Sequence, residues 1–382
     1  MKAGRVFFYV QHLLGIGHAA RAAILTRAMR RAGLDVVVAA GGFDALDDNL
    51  LGADVVRLPP VKARDATFSA LIGANGQEID DAWRARRCTA LLQAFETSAA
   101  DVVLIETFPF GRWPFRFELL PLLDAAKGRA RILCSLRDIL VPKRNPARLT
   151  AIVDLIERYF DGVLVHGDPD FVTLDRTFPR TRDIAGRIRY TGYVAPEAPA
   201  HDAAPVPQGE VIVSAGGGGT GGALMRTALA ARPLGDLRDT PWRMLVGPNL
   251  PSHDRAALQS GDGFTIEPAR GDFPALLAGG ALSISQAGYN TVLEVLAAGP
   301  PAVVVPFAGG AETEQSLRAG LLAERGLLTV VEEAGLDGRA LAAGIDQALA
   351  RSGAARPPAA LATNGAARTA EMLARMLAIV AP

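Results

Sequence analysis

The sequence predicts an α/β protein of two doubly wound, Rossmann-like domains. Three observations lead there. Short apolar runs of strand length, often rich in consecutive valines, alternate with helical periodicity along the chain. At 382 residues the chain exceeds one ordinary core. A proline- and alanine-rich stretch without periodicity, 195–208, separates two comparable halves and reads as a linker. The boundaries that follow are a first Rossmann-like domain over 1–194, a second over 209–360, and a last helix within 361–382.

In the first half, Arg5–Val10 reads as a strand and His18–Arg31 as a helix with the apolar stripe Ile24, Leu25, Ala28 and Met29, closed by Gly33. Val36–Ala39 is the next strand. The intervening Gly15-Ile-Gly17-His18 imitates a dinucleotide fingerprint. That fingerprint needs an acid where the second strand ends, and here the end is Ala39-Ala40-Gly41-Gly42. His18 reads either as an ordinary helix-start residue or as a ligand contact, since the glycines let backbone approach a ligand closely. Further strands at Val55–Leu58, Val102–Ile105, Arg131–Leu136 and Val163–Val165 deliver Glu106, Arg137 with Asp138, and His166 at their carboxyl ends. If the strands are parallel these groups converge on one rim; otherwise they are solvated strand ends. Phe108–Phe117 interleaves aromatics with Arg112 and Arg116, and reads as an acceptor loop, a lipid head-group contact or a covered structural loop. Asp168-Pro169-Asp170 is taken as a helix cap rather than a metal motif.

In the second half, Glu210–Ser214 is a strand followed by Gly216, Gly217, Gly218, Gly219 and Thr220, then a helix. Glycine amides and a helix N-terminus suit a diphosphate. Trp242–Val246 is the next strand. Ala281–Gly326 reads as strand, turn, helix to Ala298, stop at Gly299-Pro300-Pro301, valine-rich strand, loop and helix. Its polar edge holds Ser285, Gln286, Asn290, Thr291, Glu294, Glu312, Glu314 and Gln315. Glu294 also fits a capping box with Thr291, and Glu312 and Glu314 fit macrodipole compensation.

Composition excludes several classes. Forty basic residues balance forty acidic ones, so no basic surface excess calls for nucleic acid. No run of apolar residues reaches membrane-spanning length, and the N-terminal run is a poor signal sequence. Cys88 and Cys134 are far apart, which suits a reducing cytoplasm.

The segments SQAGYNTVLEVLAAGPPAVVVPF and ETEQSLRA resemble the donor-binding segment of two-domain glycosyltransferases typified by the N-acetylglucosaminyl transferase of peptidoglycan synthesis. The start QHLLGIGH, with ETFPFGR and SLRDIL, is similar to a group of predicted bacterial glycosyltransferases. The resemblance implies the GT-B architecture, two domains facing across a cleft, and an inverting, metal-independent transfer from a nucleotide-sugar, UDP-sugar favoured, with no cofactor. It implies that Glu294 grips the ribose hydroxyls and that Glu314 and Gln315 contact the donor sugar. Gly216–Thr220, Gln286, Gly288, Asn290 and Thr291 complete the donor side. On the acceptor side stand Gly15, Gly17, Arg112, Arg137, Asp138 and His166, with His18 as base and Glu106 as second candidate. Gln286 departs from the Arg or Ser frequent in that family. The acceptor is a small molecule or a lipid-linked one, with peripheral contact at the inner membrane surface as an expectation. A nucleotide-sugar hydrolase, a UDP-sugar 2-epimerase and a non-catalytic nucleotide-sugar binder are the alternatives.

Overall fold

A computed structural model describes residues 4–11, 13, 17–43, 52–64, 70–143, 145–195, 206–258, 261, 263–309, 313–352 and 361–378. Gly15, Glu312 and most of the 195–208 segment lie outside the described residues. The chain divides into two compact units, Met1–Ala195 with Leu361–Pro382, and Pro196–Ala360.

The first unit runs β1 (Arg5–Val10), α1 (Gly17–Arg31), β2 (Asp35–Ala40), β3 (Asp54–Arg57), a small antiparallel pair β4 (Val61–Ala63) and β5 (Leu71–Gly73), then α2 (Asp81–Ser98) and β6 (Val102–Glu106). It continues through α3 (Arg116–Ala126), β7 (Arg131–Arg137), α4 (Pro146–Tyr159), β8 (Gly162–His166) and β9 (Ile188–Tyr190). Seven strands form one parallel sheet in the order β3-β2-β1-β6-β7-β8-β9. Phe7, Tyr9, Val103 and Ile105 pack on one face against Leu91, Phe95, Leu119 and Ile156 of the helices. Val6, Phe8 and Leu104 pack on the other against Ala22 and Leu25 of α1. Coverage on both faces is why these strands read as continuous apolar runs.

The second unit holds β10 (Val211–Ser214), α5 (Gly222–Ala231), β11 (Trp242–Val246), α6 (Ser252–Ala256), β12 (Phe264–Pro268), α7 (Phe273–Gly279), β13 (Leu282–Ser285), α8 (Tyr289–Ala298), β14 (Ala302–Val304), α9 (Glu314–Glu324), β15 (Thr329–Val330) and α10 (Gly338–Ser352). Its six parallel strands lie in the order β12-β11-β10-β13-β14-β15. Gly299 ends α8 at φ 85°, the left-handed stop for which glycine is suited.

Three local expectations change. Helix α8 starts at Tyr289 with Gly288 at its cap, so Thr291 and Glu294 are already inside it and form no capping box. No helix follows Asp168; its carboxylate instead accepts from the backbone N–H of Asp170 at 2.9 Å and of Ala362 at 2.9 Å. The aromatic segment turns inward: Phe108, Phe110 and Phe115 are core residues. Their apolar area is more stably placed under the sheet than against water. Among the described residues, no helix is long and apolar enough to cross a membrane.

The last helix, α11 (Gly365–Ala378), packs on α1 in the first unit, with Ala370 and Leu373 in the cluster around Val6 and Phe8. The chain is fastened there by the Val194–Asn364 bridge and by Tyr193 N–H donating to Ala362 O. Leu373→Ala should therefore destabilise the first unit by about 2–5 kcal/mol, the usual penalty for emptying a core leucine site, read as a lower urea midpoint.

Candidate active site

In a doubly wound sheet the crevice opens where strand order reverses, outside the carboxyl ends of the two central strands. In the first unit these are β1 and β6, with Tyr9 paired to Ile105. Glu106 is the last residue of β6, and α1 begins just beyond the end of β1. This topology brings His18 and Glu106 together: His18 Nδ1 lies 3.0 Å from Glu106 Oε1. Arg21, one turn further along α1, donates from an Nη to the same oxygen at 2.5 Å and lies 3.1 Å from His18 Nδ1.

Burial, the largest influence on Glu106, opposes its charge. His18 and Arg21 overcome that and hold the carboxyl at about 2. His18 is lowered to about 4, first by burial, against the pull of Glu106, with Arg112 and Arg21 adding repulsion. The ring nevertheless keeps 24% of its side-chain surface open, whereas Glu106 is closed off. The imidazole is thus neutral near pH 7. With Nδ1–H directed to the carboxylate, the tautomer assigned from these neighbours leaves Nε2 with a lone pair.

The other expected acceptor-side residues divide. Gly17 opens α1 beside His18. Arg112 is half-buried and donates from Nε to Gln11 O at 2.7 Å. Arg137 ends β7 on the same rim. Two expectations are corrected. His166 is fully buried, its Nε2 hydrogen-bonded with the Ser135 hydroxyl at 2.8 Å and its Nδ1 with that of Thr191 at 2.9 Å, so neither nitrogen is presented to a ligand. Asp138 is buried and accepts from the Tyr193 hydroxyl at 3.0 Å.

In the second unit the central strands are β10 and β13, paired from Val211–Leu282 to Ser214–Ser285. The glycine loop leaves β10 beside the Gln286–Gly288 turn that leaves β13. Gly216 takes φ +69°, and a Cβ at Gly247 would strike its carbonyl oxygen, so both positions require glycine. Asn249 Nδ2 donates to Gly217 O at 2.7 Å. Gln286 Nε2 donates to Thr220 O at 3.2 Å, while the Thr220 hydroxyl donates to Gln286 Oε1 at 3.4 Å. Among the described residues, the N–H groups of Gly217, Gly219 and Thr220 have no acceptor, while Gly218 closes the turn at Gly216–Gly217. Orphan amides grouped in one loop form a concave nest for an anion. A Cβ on Gly216 would lie 3.4 Å from the Thr291 hydroxyl, which places the first turn of α8 against the nest. Gly288 caps that helix, and Asn290 and Thr291 are half-buried within it.

Glu294, just past the middle of α8, has no hydrogen-bond or ion-pair partner among the described residues, and burial raises its carboxyl to about 7. A carboxyl left unpaired in poor solvation is a candidate for a functional position. Two donor-side expectations are corrected here. Glu314 is buried in an ion pair with Arg318 at 2.8 Å, and Arg318 also donates to Ala287 O at 3.1 Å, pinning the turn after β13. Gln286 is nearly closed off and spends its amide on Thr220, so it braces the loop. Gln315 Oε1 accepts from Phe307 N–H at 3.1 Å.

Arg21 is the site residue that sequence reasoning missed. Its signal was position: three residues after His18, it shares that residue's helix face. Arg318 had a comparable signal, four residues after Glu314.

Residues 212–373 match the glycosyltransferase family 28 C-terminal domain, a span under half of the chain. The UDP-N-acetylglucosamine--N-acetylmuramyl-(pentapeptide) pyrophosphoryl-undecaprenol N-acetylglucosamine transferase of Rhodopseudomonas palustris (strain BisA53) is 32% identical over 128 residues, 32% of this chain and 34% of that protein. The protein of the same name from Exiguobacterium sp. is 33% identical over 141 residues, 36% of this chain and 39% of its own length. The chain thus spans little more than a third of the curated relatives it matches. Among solved structures, CalG4, the calicheamicin glycosyltransferase, superimposes with a TM-score of 0.65 at 19% identity over 100% of both chains. MurG of Acinetobacter baumannii gives 0.60 at 16% identity over 97% of this chain and 100% of its own. The fold is GT-B, and the chain is family 28-like over the matched span, which begins in β10.

The raised Glu294 carboxyl has a measurable cost. With a folded value of about 7 against an ordinary 4.5, folding is favoured by its protonated form; that stability is complete below about pH 4.5 and is lost as pH rises through 7. Glu294→Gln should accordingly be more stable than wild type at pH 8, by on the order of 1–2 kcal/mol after allowing for partial exposure, and no more stable at pH 4. Urea titrations at the two pH values check this.

Proposed function

We propose that the protein is a glycosyltransferase that moves a sugar from a nucleotide diphosphate donor, UDP-sugar favoured, to an acceptor hydroxyl, with inversion and without a metal. The observation that carries the reading is the His18–Glu106 pair at the crevice of the first sheet. Neutral His18 accepts the acceptor's hydroxyl proton on Nε2 as that oxygen bonds to the anomeric carbon. Glu106 holds the tautomer and stabilises the imidazolium that results. The bond from the anomeric carbon to the diphosphate breaks as the new one forms, and the departing oxygen takes the electron pair.

The amides of Gly217, Gly219 and Thr220 and the N-terminus of α5 receive that charge. Glu294 orients the nucleoside by accepting from its ribose hydroxyls. A UDP-sugar is favoured because the curated relatives carry UDP-N-acetylglucosamine in their names. Those names also motivate a lipid-linked acceptor, although the inward packing of Phe108, Phe110 and Phe115 removes the aromatic surface expected to meet one.

Thermal unfolding against UDP, dTDP, GDP and NAD tests the donor site. A ligand at about 100 times its Kd adds roughly 2.7 kcal/mol, a shift of about 2–4 °C. UDP should shift the wild type and His18→Ala alike, and shift Glu294→Ala far less. If no nucleoside diphosphate shifts the wild type, the reading fails.

Release of UDP from UDP-sugars should fall about 10²–10⁴-fold in His18→Ala and be unchanged by EDTA. Because His18 lies near 4 rather than 6.5, the acid limb of kcat/KM should fall well below pH 6.5.

A further inference from the structure

Arg21 is 3% exposed, deeply buried for an arginine, and its place on α1 puts it within reach of both members of the dyad. The two contacts at His18 Nδ1 exclude each other. That nitrogen either carries a proton and donates to Glu106, or carries a lone pair and accepts from Arg21. The second arrangement would put the proton on Nε2 and abolish the base. The carboxylate decides between them: a bare Nδ1 would set its lone pair 3.0 Å from the ionised Glu106 Oε1, which Arg21 holds at 2.5 Å, whereas a protonated Nδ1 donates to it. A guanidinium hydrogen prefers the ionised carboxylate to a neutral ring nitrogen. Oε1 therefore accepts from both neighbours, and Nε2 is left bare.

We propose that Arg21 is a positioning residue of this site: by donating to Glu106 Oε1 it holds that oxygen as the ionised acceptor of the His18 Nδ1–H and prevents Glu106 from drawing a second proton onto the ring. The inference rests on the assignment of His18 as the base. A lone carboxylate beside an imidazole would stabilise imidazolium, and an imidazolium cannot accept a proton from a hydroxyl. By sharing Oε1, Arg21 keeps Glu106 ionised while offsetting its pull on the ring. The charged and titratable groups facing His18 are consistent with this. Burial opposes ring protonation most, Glu106 from β6 favours it, and Arg112 from the segment after β6 and then Arg21 from α1 oppose it. His166 from β8, which senses Arg21 and Glu106, has both nitrogens occupied by hydroxyls and is itself neutral.

The test is nitrogen-15 NMR of histidine-labelled protein without substrate. The five histidines are resolved and His18 is assigned by its loss in His18→Gln. In the wild type, His18 should be the Nδ1–H tautomer and stay neutral below pH 6. In Arg21→Met and Arg21→Gln the midpoint of His18 should rise by about one unit or more, as expected when an adjacent like charge is removed. Arg21→Lys, which keeps the buried charge, should stay near wild type and covers the case in which the neutral variants fail to fold. The acid limb of UDP release should rise in parallel in the neutral variants.

An unchanged His18 midpoint in Arg21→Met or Arg21→Gln overturns the proposal. So does an Nε2–H ring in the wild type or in Arg21→Lys. Because the spectra need no turnover, absence of any UDP release would count against glycosyl transfer alone.

Discussion

A parallel strand covered on both faces has only its ends to offer for chemistry, and that constraint organises each unit of this protein. The central strands bury Phe7, Tyr9, Ile105, Val213 and Ile284 from both sides, and polar groups are displaced to the points where the chain leaves the sheet. Reversal of strand order then selects among those exits. In one sheet it brings the start of α1 beside the end of β6; in the other it brings the glycine loop beside Gln286. The same topology thus yields the His18–Glu106 pair in one unit and the glycine loop in the other. The difference lies in a handful of residues grafted at equivalent exits.

Burying the Glu106 charge is expensive unless it is paired, and the surrounding structure is built to keep it paired. Arg21 and His18 meet it directly. Behind them, a second buried ion pair stiffens the wall. Arg87 Nε donates to Glu118 at 2.8 Å, and its Nη groups reach Gln11 Oε1 at 2.5 Å and Pro59 O at 2.5 Å. The Tyr9 hydroxyl donates to Glu118 at 2.6 Å. Gln11 couples the two networks, since its carbonyl oxygen accepts from Arg112, one of the charges that repels protonation of His18. The buried charges around Glu106 and Glu118 hold one another in place more than they meet solvent.

The strands were legible because double coverage writes them as apolar runs; β1 and β11 fall at the residues expected, and most other strands within one or two. The glycine loop was legible because six glycines in eight residues have few other uses. His18 and Glu106 stood out separately as base candidates, yet nothing local to either reveals that they touch. That contact depends on β6 lying next to β1, a fact of strand order. His166 and Asp138 sit at strand ends like Glu106 and have similar local sequence, but face neighbours that fill their hydrogen-bonding capacity. Glu314 was misread by analogy although Arg318, four residues on, was the better guide. Phe108–Phe117 shows the limit of composition, because aromatic content says how much area must be buried and not on which side.

The first unit is discontinuous along the chain: α11 completes a core whose strand residues, Val6 to Leu164, were laid down more than two hundred residues earlier. A ribosome therefore delivers every residue of the second unit before the final helix that covers Val6 and Phe8 emerges. During synthesis the second sheet can close first, while α1 keeps part of its apolar face open to chaperones. Loss of the last helix would then fall on the unit that carries His18, at the opposite end of the sequence from the lesion.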